Sequence, residues 1–111
     1  MKSITLVLTI LFAGFFFTAK AANDTLKIKT SAQCDDCKER IENKLNFTKG
    51  VKSAVLDLKT KEVTVIYNSE KIKPEEIKSA ITKTGYDADD LPADENAYNK
   101  LPKCCQKGGH E

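Results

Sequence analysis

The chain has 111 residues, with 18 basic and 16 acidic side chains and a formal net charge of +2. Two of the lysines, Lys2 and Lys20, flank an N-terminal apolar segment; without them 16 basic residues meet 16 acidic ones. That balance, with the lysines spread evenly as on a solvated surface, excludes the basic patch that a nucleic-acid-binding domain needs, and the length allows one small domain with a modest core.

Lys2 is followed by an apolar run, Ile4 through Phe12 and on to Phe17, and then by Ala19-Lys20-Ala21. A basic start, an apolar run and an Ala-x-Ala site are the three parts of a secretory signal peptide, predicted over residues 1–21. A membrane anchor is the competing reading, but the run is short for a span. The mature chain then begins near Ala22 and its destination is periplasmic or secreted. No later segment is apolar enough to cross a membrane.

Leu26-Lys27-Ile28-Lys29-Thr30 alternates apolar and polar residues, the pattern of a strand with one buried face. From Asp36 the pattern turns helical, with Cys37, Ile41 and Leu45 at four-residue intervals. Asp36 and Glu39 have the spacing of a capping box, which predicts Asp36 as the N-cap. Lys49-Gly50 ends this unit. A second strand begins at Val51, with Ala54, Leu56 and Leu58 on one face, and Lys59-Thr60-Lys61 is a polar turn. Glu62 to Tyr67 is a third strand with Val63, Val65 and Tyr67 inward, so the pair is an antiparallel hairpin.

Pro74 opens a second helix at the position where its missing N–H matters least. Glu75 and Glu76 suit the N-terminal dipole. Ile77, Ala80 and Ile81 form its buried stripe, and Gly85 stops it. A short last strand is predicted from Tyr86 to Leu91. The order β-α-β-β-α-β implies an α+β, ferredoxin-like sandwich over residues 22–91: four antiparallel strands with two helices on one face. Beyond it, residues 92–111 form a flexible tail, with room for a short helix between Pro92 and Pro102.

All four cysteines fall within residues 22–111: Cys34, Cys37, Cys104 and Cys105. Export makes disulfides a live option, and four cysteines allow three full pairings. The adjacent Cys104–Cys105 pair is the least favoured, because disulfide geometry is demanding. On spacing alone Cys34-Asp35-Asp36-Cys37 is a disulfide, a redox dithiol or a metal clamp.

Motif and element order together resemble the heavy-metal-associated domain, the fold of small copper chaperones, of metal-ATPase N-terminal modules and of the periplasmic mercury-binding protein. The resemblance spans Leu26 to Leu91. It rests on Cys34-Asp35-Asp36-Cys37, Ile41-Glu42, Leu45, Gly50-Val51, Val63, Val65, Tyr67 and Gly85-Tyr86. The family usually carries a methionine two residues before the first cysteine, where it packs under the metal loop; Ala32 stands there in this chain.

The resemblance places Cys34 on the loop after the first strand and Cys37 in the first helical turn, where both sulfurs can meet one ion. Thiolates select soft ions. Two sulfurs satisfy linear Cu(I) or Hg(II), whereas Zn(II) normally wants four ligands. Cu(I) is therefore the leading cargo, with Hg(II) or Zn(II) as alternatives. The helix N-terminus favours a thiolate at Cys37, while Asp35 and Asp36 work against ionisation. Asp36 is read first as a cap; in a second reading Asp35 or Asp36 is an oxygen donor that would tilt the site toward Zn(II) or Cd(II). The resemblance also puts Tyr86 beside the metal loop, where it packs or shields the ion.

Cys104, Cys105 and His110 are further candidate ligands. In that reading the tail folds back to supply a third donor, or holds a second ion. The function implied is capture and hand-on of a soft metal to a metal-transporting membrane protein or another metal-binding protein, with no catalytic residues. The competing function is thiol–disulfide exchange at the same cysteines.

Overall fold

The computed structural model describes residues 23–108; the predicted signal segment and His110 lie outside them. Three strands form one antiparallel sheet in the order β1-β3-β2: β1 is Asn23–Lys29, β2 Val51–Asp57 and β3 Glu62–Asn68. Period-two alternation sets the register. Leu26 and Ala54 both lie opposite Val65, and Ile28 and Leu56 both lie opposite Val63, so one face of the sheet is apolar. Val63, Val65 and Tyr67 of the central strand are buried, as the alternation predicts, while Val55 and Ile66 face out. Leu58 lies just past β2 and is only partly buried, as is Leu26. The β2–β3 turn bends so tightly that Lys61 takes a φ of 64° and donates its N–H to the Asp57 carbonyl at 2.7 Å.

Two helices cover the apolar face: α1, Asp35–Asn46, and α2, Pro74–Lys83. The α1 stripe is Cys37, Ile41 and Leu45, and the α2 stripe is Ile77, Ala80 and Ile81. Strand β2 is an edge strand, and α1 satisfies part of that edge. Glu42 accepts the Leu56 N–H at 2.7 Å and Asn46 accepts the Ala54 N–H at 3.1 Å. Donors that an exposed edge would offer to another chain are used internally.

The capping box predicted at Asp36 is absent. The N-cap lies two residues earlier, at Cys34: Cys34 is extended, and its carbonyl accepts the Lys38 N–H at 3.0 Å. Asp36 thereby falls inside the first turn, where it meets the helix dipole rather than the orphan N–H groups. At α2, Pro74 occupies the first turn as predicted, and Glu76 reaches back to the Lys73 N–H at 3.2 Å.

The C-terminus of α2 decides where the rest of the chain goes. The Gly85 N–H bonds to Thr82 and the Tyr86 N–H to Ile81, a Schellman motif with Gly85 at φ 108°. That left-handed residue throws Tyr86 back under the sheet, where it is fully buried.

The fourth strand predicted from Tyr86 to Leu91 is reduced to single bridges, Thr30 with Ala88 and Ala88 with Leu91. The described sheet therefore has three strands. Ala88 and Leu91 exchange both N–H bonds across a tight turn containing Asp89 at φ 51°, so the segment pairs with itself. Asp89 instead braces the end of β1, donating its N–H to the Lys29 carbonyl and accepting the Lys29 N–H, each at 2.8 Å.

The predicted short helix is present as α3, Glu95–Asn99, capped by Asp94, whose side chain accepts the Ala97 N–H at 2.9 Å. The Asp94 N–H bonds to the Thr82 carbonyl at 2.9 Å and ties α3 to the end of α2. The expectation of a flexible tail gives way, as far as Gly108, to a packed return. Leu101 and Cys105 are buried in the same apolar cluster as α1 and α2, and Lys103–Cys105 form one 3-10 turn. Among the described residues no helix is long and apolar enough to cross a membrane.

Candidate metal centre

The loop from Thr30 to Cys34 is held by hydrogen bonds rather than by bulk. Thr30 is buried and donates both its N–H and its hydroxyl to the Lys61 carbonyl, each at 2.8 Å. Its oxygen in turn accepts the Ala32 N–H at 3.2 Å, and Ser31 accepts the Asp87 N–H at 3.0 Å. Ala32 is fully buried, so the small side chain that replaces the family's methionine is part of a packed core.

That loop delivers Cys34 to the start of α1, with Cys37 fully buried one turn on. The two sulfurs are 3.2 Å apart and both thiols are free. A disulfide would bring them to about 2.0 Å. The returning tail adds the other pair: Cys105 Sγ lies 3.7 Å from Cys34 Sγ and 3.9 Å from Cys104 Sγ. The sulfurs of Cys34, Cys104 and Cys105 all lie within 4.8 Å of one another. Four cysteines from two chain segments thus share one site. Cys37 and Cys105 form its buried side, and Cys34 and Cys104 its partly exposed rim.

Electrostatics distinguish the four. Burial opposes ionisation of Cys34, but the Cys37 backbone N–H and the neighbouring thiols of Cys37, Cys105 and Cys104 outweigh it, and its thiol is lowered to about 6. At neutral pH Cys34 is a thiolate in a nest of S–H donors. Cys105 is pushed up, first by burial and then by Cys37. Cys104 is also raised, first by its hydrogen bond to Cys34 and then by burial, with Asp36 as a further contribution. Asp36 lies at the rim, 3.8 Å from Cys104 Sγ. Its charge is felt there, and it does not keep the Cys34 thiol from ionising.

Tyr86 closes the buried side. Its hydroxyl is enclosed without a hydrogen-bond partner. Burial first, then the Cys105 and Cys37 thiols beside it, raise its pKa far above the usual phenol value. A buried O–H beside neutral thiols has only weak sulfur acceptors, and a thiolate there would be a far stronger one.

Of the residues singled out by sequence, Cys34, Cys37, Cys104, Cys105, Asp36 and Tyr86 converge; His110 lies outside the described residues. Sequence reasoning missed the residues that fix the tail. The Tyr98 hydroxyl accepts the Lys107 N–H at 2.8 Å, and Lys107 pairs with Asp87 at 2.7 Å. The Gln106 amide donates to the Tyr98, Asn99 and Leu101 carbonyls at 3.4, 3.5 and 3.2 Å. Tyr98 in α3 and Leu101 just beyond it, three apart, were a legible apolar pair. Asp87 and Lys107 carry no local signal.

Comparison with known proteins agrees with this geometry. Residues 22–87 match the family model of the heavy-metal-associated domain. Among curated proteins, the chain is similar to the copper chaperone CopZ of Staphylococcus haemolyticus, 39% identical over 54 residues, covering 49% of this chain and 79% of that protein. It is also 35% identical over 68 residues to heavy metal-associated isoprenylated plant protein 20 of Arabidopsis thaliana, covering 61% of this chain but only 43% of the plant protein. Among solved structures, a CopZ metallochaperone superposes with a TM-score of 0.57 at 32% identity, covering 59% of this chain and 98% of that one.

Proposed function

The chain belongs to the heavy-metal-associated domain family, and on that footing we propose that it captures a soft metal ion between Cys34 and Cys37 and passes it on. The observation that carries this reading is the pair itself: two free sulfurs 3.2 Å apart at a helix start, with Cys34 lowered to about 6. A thiolate at neutral pH binds an ion without first surrendering a proton, and sulfur donors select Cu(I) and its soft relatives over hard cations. Cu(I) is the cargo favoured by the similarity to copper chaperones, with Hg(II) or Zn(II) as the alternatives. Transfer proceeds by ligand exchange, in which a thiolate of the receiving protein bonds to the ion before one of the donor's sulfurs leaves. The receiver is a metal-transporting membrane protein or another metal-binding protein. The N-terminal sequence pattern supports export, so the site works in a periplasmic or extracellular space.

A second reading, thiol–disulfide exchange, is favoured by the same low Cys34 value, since a thiolate is also the attacking species there. One experiment separates them. The reduced, oxygen-free protein is titrated with Cu(I), Zn(II) and Hg(II) against chelators, beside a Cys34→Ser/Cys37→Ser variant. Capture predicts tight binding that the variant loses, and no catalysed reduction of a disulfide substrate. Turnover of that substrate without metal binding would support the second reading instead.

A further inference from the structure

We propose that Cys105 is a third ligand to the ion held by Cys34 and Cys37, so that the C-terminal return makes a closed three-sulfur site rather than an open two-sulfur clamp. The inference rests on the capture reading above and says how firmly the ion is held.

The first argument is distance. With metal–sulfur bonds of about 2.3 Å, two sulfurs on opposite sides of an ion stand about 4.6 Å apart, whereas three or four around it stand about 3.8–4.0 Å apart. Cys34 and Cys105 are already 3.7 Å apart, and Cys34 and Cys37 are 3.2 Å apart. On the Cys34–Cys37 edge, a three-sulfur site asks for an opening of roughly 0.7 Å, half the movement of about 1.4 Å that linear coordination would demand. Cys37 lies fully buried on a helix, which favours the smaller movement.

The second argument is that the sulfur is placed by the protein without help from an ion. The Cys105 N–H closes the 3-10 turn on the Pro102 carbonyl at 2.8 Å. Leu101 anchors the approach in the core, and the Asp87–Lys107 pair and the Tyr98 hydroxyl hold the far side. Gly85 faces this return so closely that a side chain there would begin 3.0 Å from the Ala97 carbonyl oxygen and 3.1 Å from Leu101. The cysteine is preorganised, which lowers the ordering penalty of using it.

Burial then assigns the roles. Cys105 is 2% exposed and interacts with both Cys37 and Cys34, which puts it on the inner side of the site. Cys104 sits at the rim beside Asp36, where an incoming or outgoing ion would meet it. Release to a receiver exchanges one bond for another: a receiver's thiolate bonds to the ion, the metal–sulfur bond to Cys105 breaks, and that sulfur takes up a proton from water. No electrons change hands. Cys105 lies on the return segment and not on α1, so exchanging its bond leaves the helix in place.

The test is X-ray absorption on the reduced full chain loaded with one equivalent of Cu(I). Three sulfurs around copper are expected in the wild type and in Cys104→Ser, two in Cys105→Ser, and about a tenfold faster transfer to a dithiol chelator for Cys105→Ser. Two sulfurs in the wild type, or three retained in Cys105→Ser, overturn the proposal. So does loss of the third sulfur in Cys104→Ser alone. Failure of the underlying capture reading looks different: the Cys34→Ser/Cys37→Ser variant would then load copper as the wild type does. A measurement without variants guards against misfolding. Peptide mass spectrometry after alkylation under native conditions should find Cys105 labelled more slowly in the copper-loaded than in the metal-free wild type, with Cys104 labelled alike in both; a Cys105 rate that copper leaves unchanged contradicts the assignment.

Discussion

Replacing Tyr86 by phenylalanine removes one oxygen from the wall of the sulfur site and leaves the ring in place. The residue is 0% exposed, and its hydroxyl has no hydrogen-bond partner. A buried unpaired hydroxyl costs about 1–3 kcal/mol of desolvation. Tyr86→Phe should therefore stabilise the reduced, metal-free protein by about 1 kcal/mol, a rise of roughly 4–8 °C in Tm for a domain of this size. Metal reverses the sign. Once the neighbouring Cys37 and Cys105 sulfurs become thiolates, the hydroxyl gains a charged acceptor, a bond that contributes about 1.5–3 kcal/mol. The variant loses that bond and starts from a more stable free state. Its Cu(I) affinity should fall by about 2.5 kcal/mol, or roughly sixty-fold in Kd. Urea or thermal unfolding of the metal-free protein and competition against a Cu(I) chelator measure the two halves separately. A metal-free Tyr86→Phe less stable than wild type would refute the orphaned hydroxyl, and an unchanged Kd would refute its role toward the thiolates.

Cys34, at about 6, should alkylate with iodoacetamide well before the other three cysteines at pH 7, and peptide mass spectrometry should show its rate rising through pH 6 and levelling near pH 7.5. The Asp87 carboxyl is held below its ordinary 3.8, first by its hydrogen bond to Lys107 and against the opposing effect of burial. A depressed carboxylate adds stability that is present above pH 3.8 and lost as the pH falls through the folded-state value. Acidification below that point should free the return segment, read as faster reaction of Cys105 with a dipyridyl disulfide, and Asp87→Asn should be loosened already at neutral pH with no acid step. Gly85→Ala places a side chain at φ 108° and 3.0 Å from the Ala97 carbonyl oxygen; the loss should exceed about 1 kcal/mol, and Cys105 should label faster even in protein that remains folded.

The sandwich was legible because local pattern and global fold coincide in it. Alternation in β1 to β3 and the four-residue spacing of Cys37, Ile41 and Leu45 each point to the face that is buried. The predicted fourth strand failed because the pattern from Tyr86 to Leu91 cannot reveal that Ala88 and Leu91 use their backbone groups on each other. Asp36 failed as a cap for a related reason. Residue type and spacing suited it, but the helix start is set by Cys34, whose extended backbone and carbonyl acceptor leave the carboxylate two positions too far in. The four sulfurs were legible as donors, and a tail folding back to supply a third was one of two readings open for Cys104 and Cys105; nothing local to them says that a tyrosine, a leucine and the Asp87–Lys107 pair will bring them home. The aspartates between the first two cysteines show the limit best. From sequence they looked like groups that would keep the thiols protonated. In the fold, Asp36 faces Cys104, and Cys34 is ionised by a backbone N–H and three thiols, two of them from a segment seventy residues away. Charge set beside a sulfur in sequence was outweighed by donors that only tertiary structure could supply, which is why the tail belongs in any account of how this site tunes its thiolate.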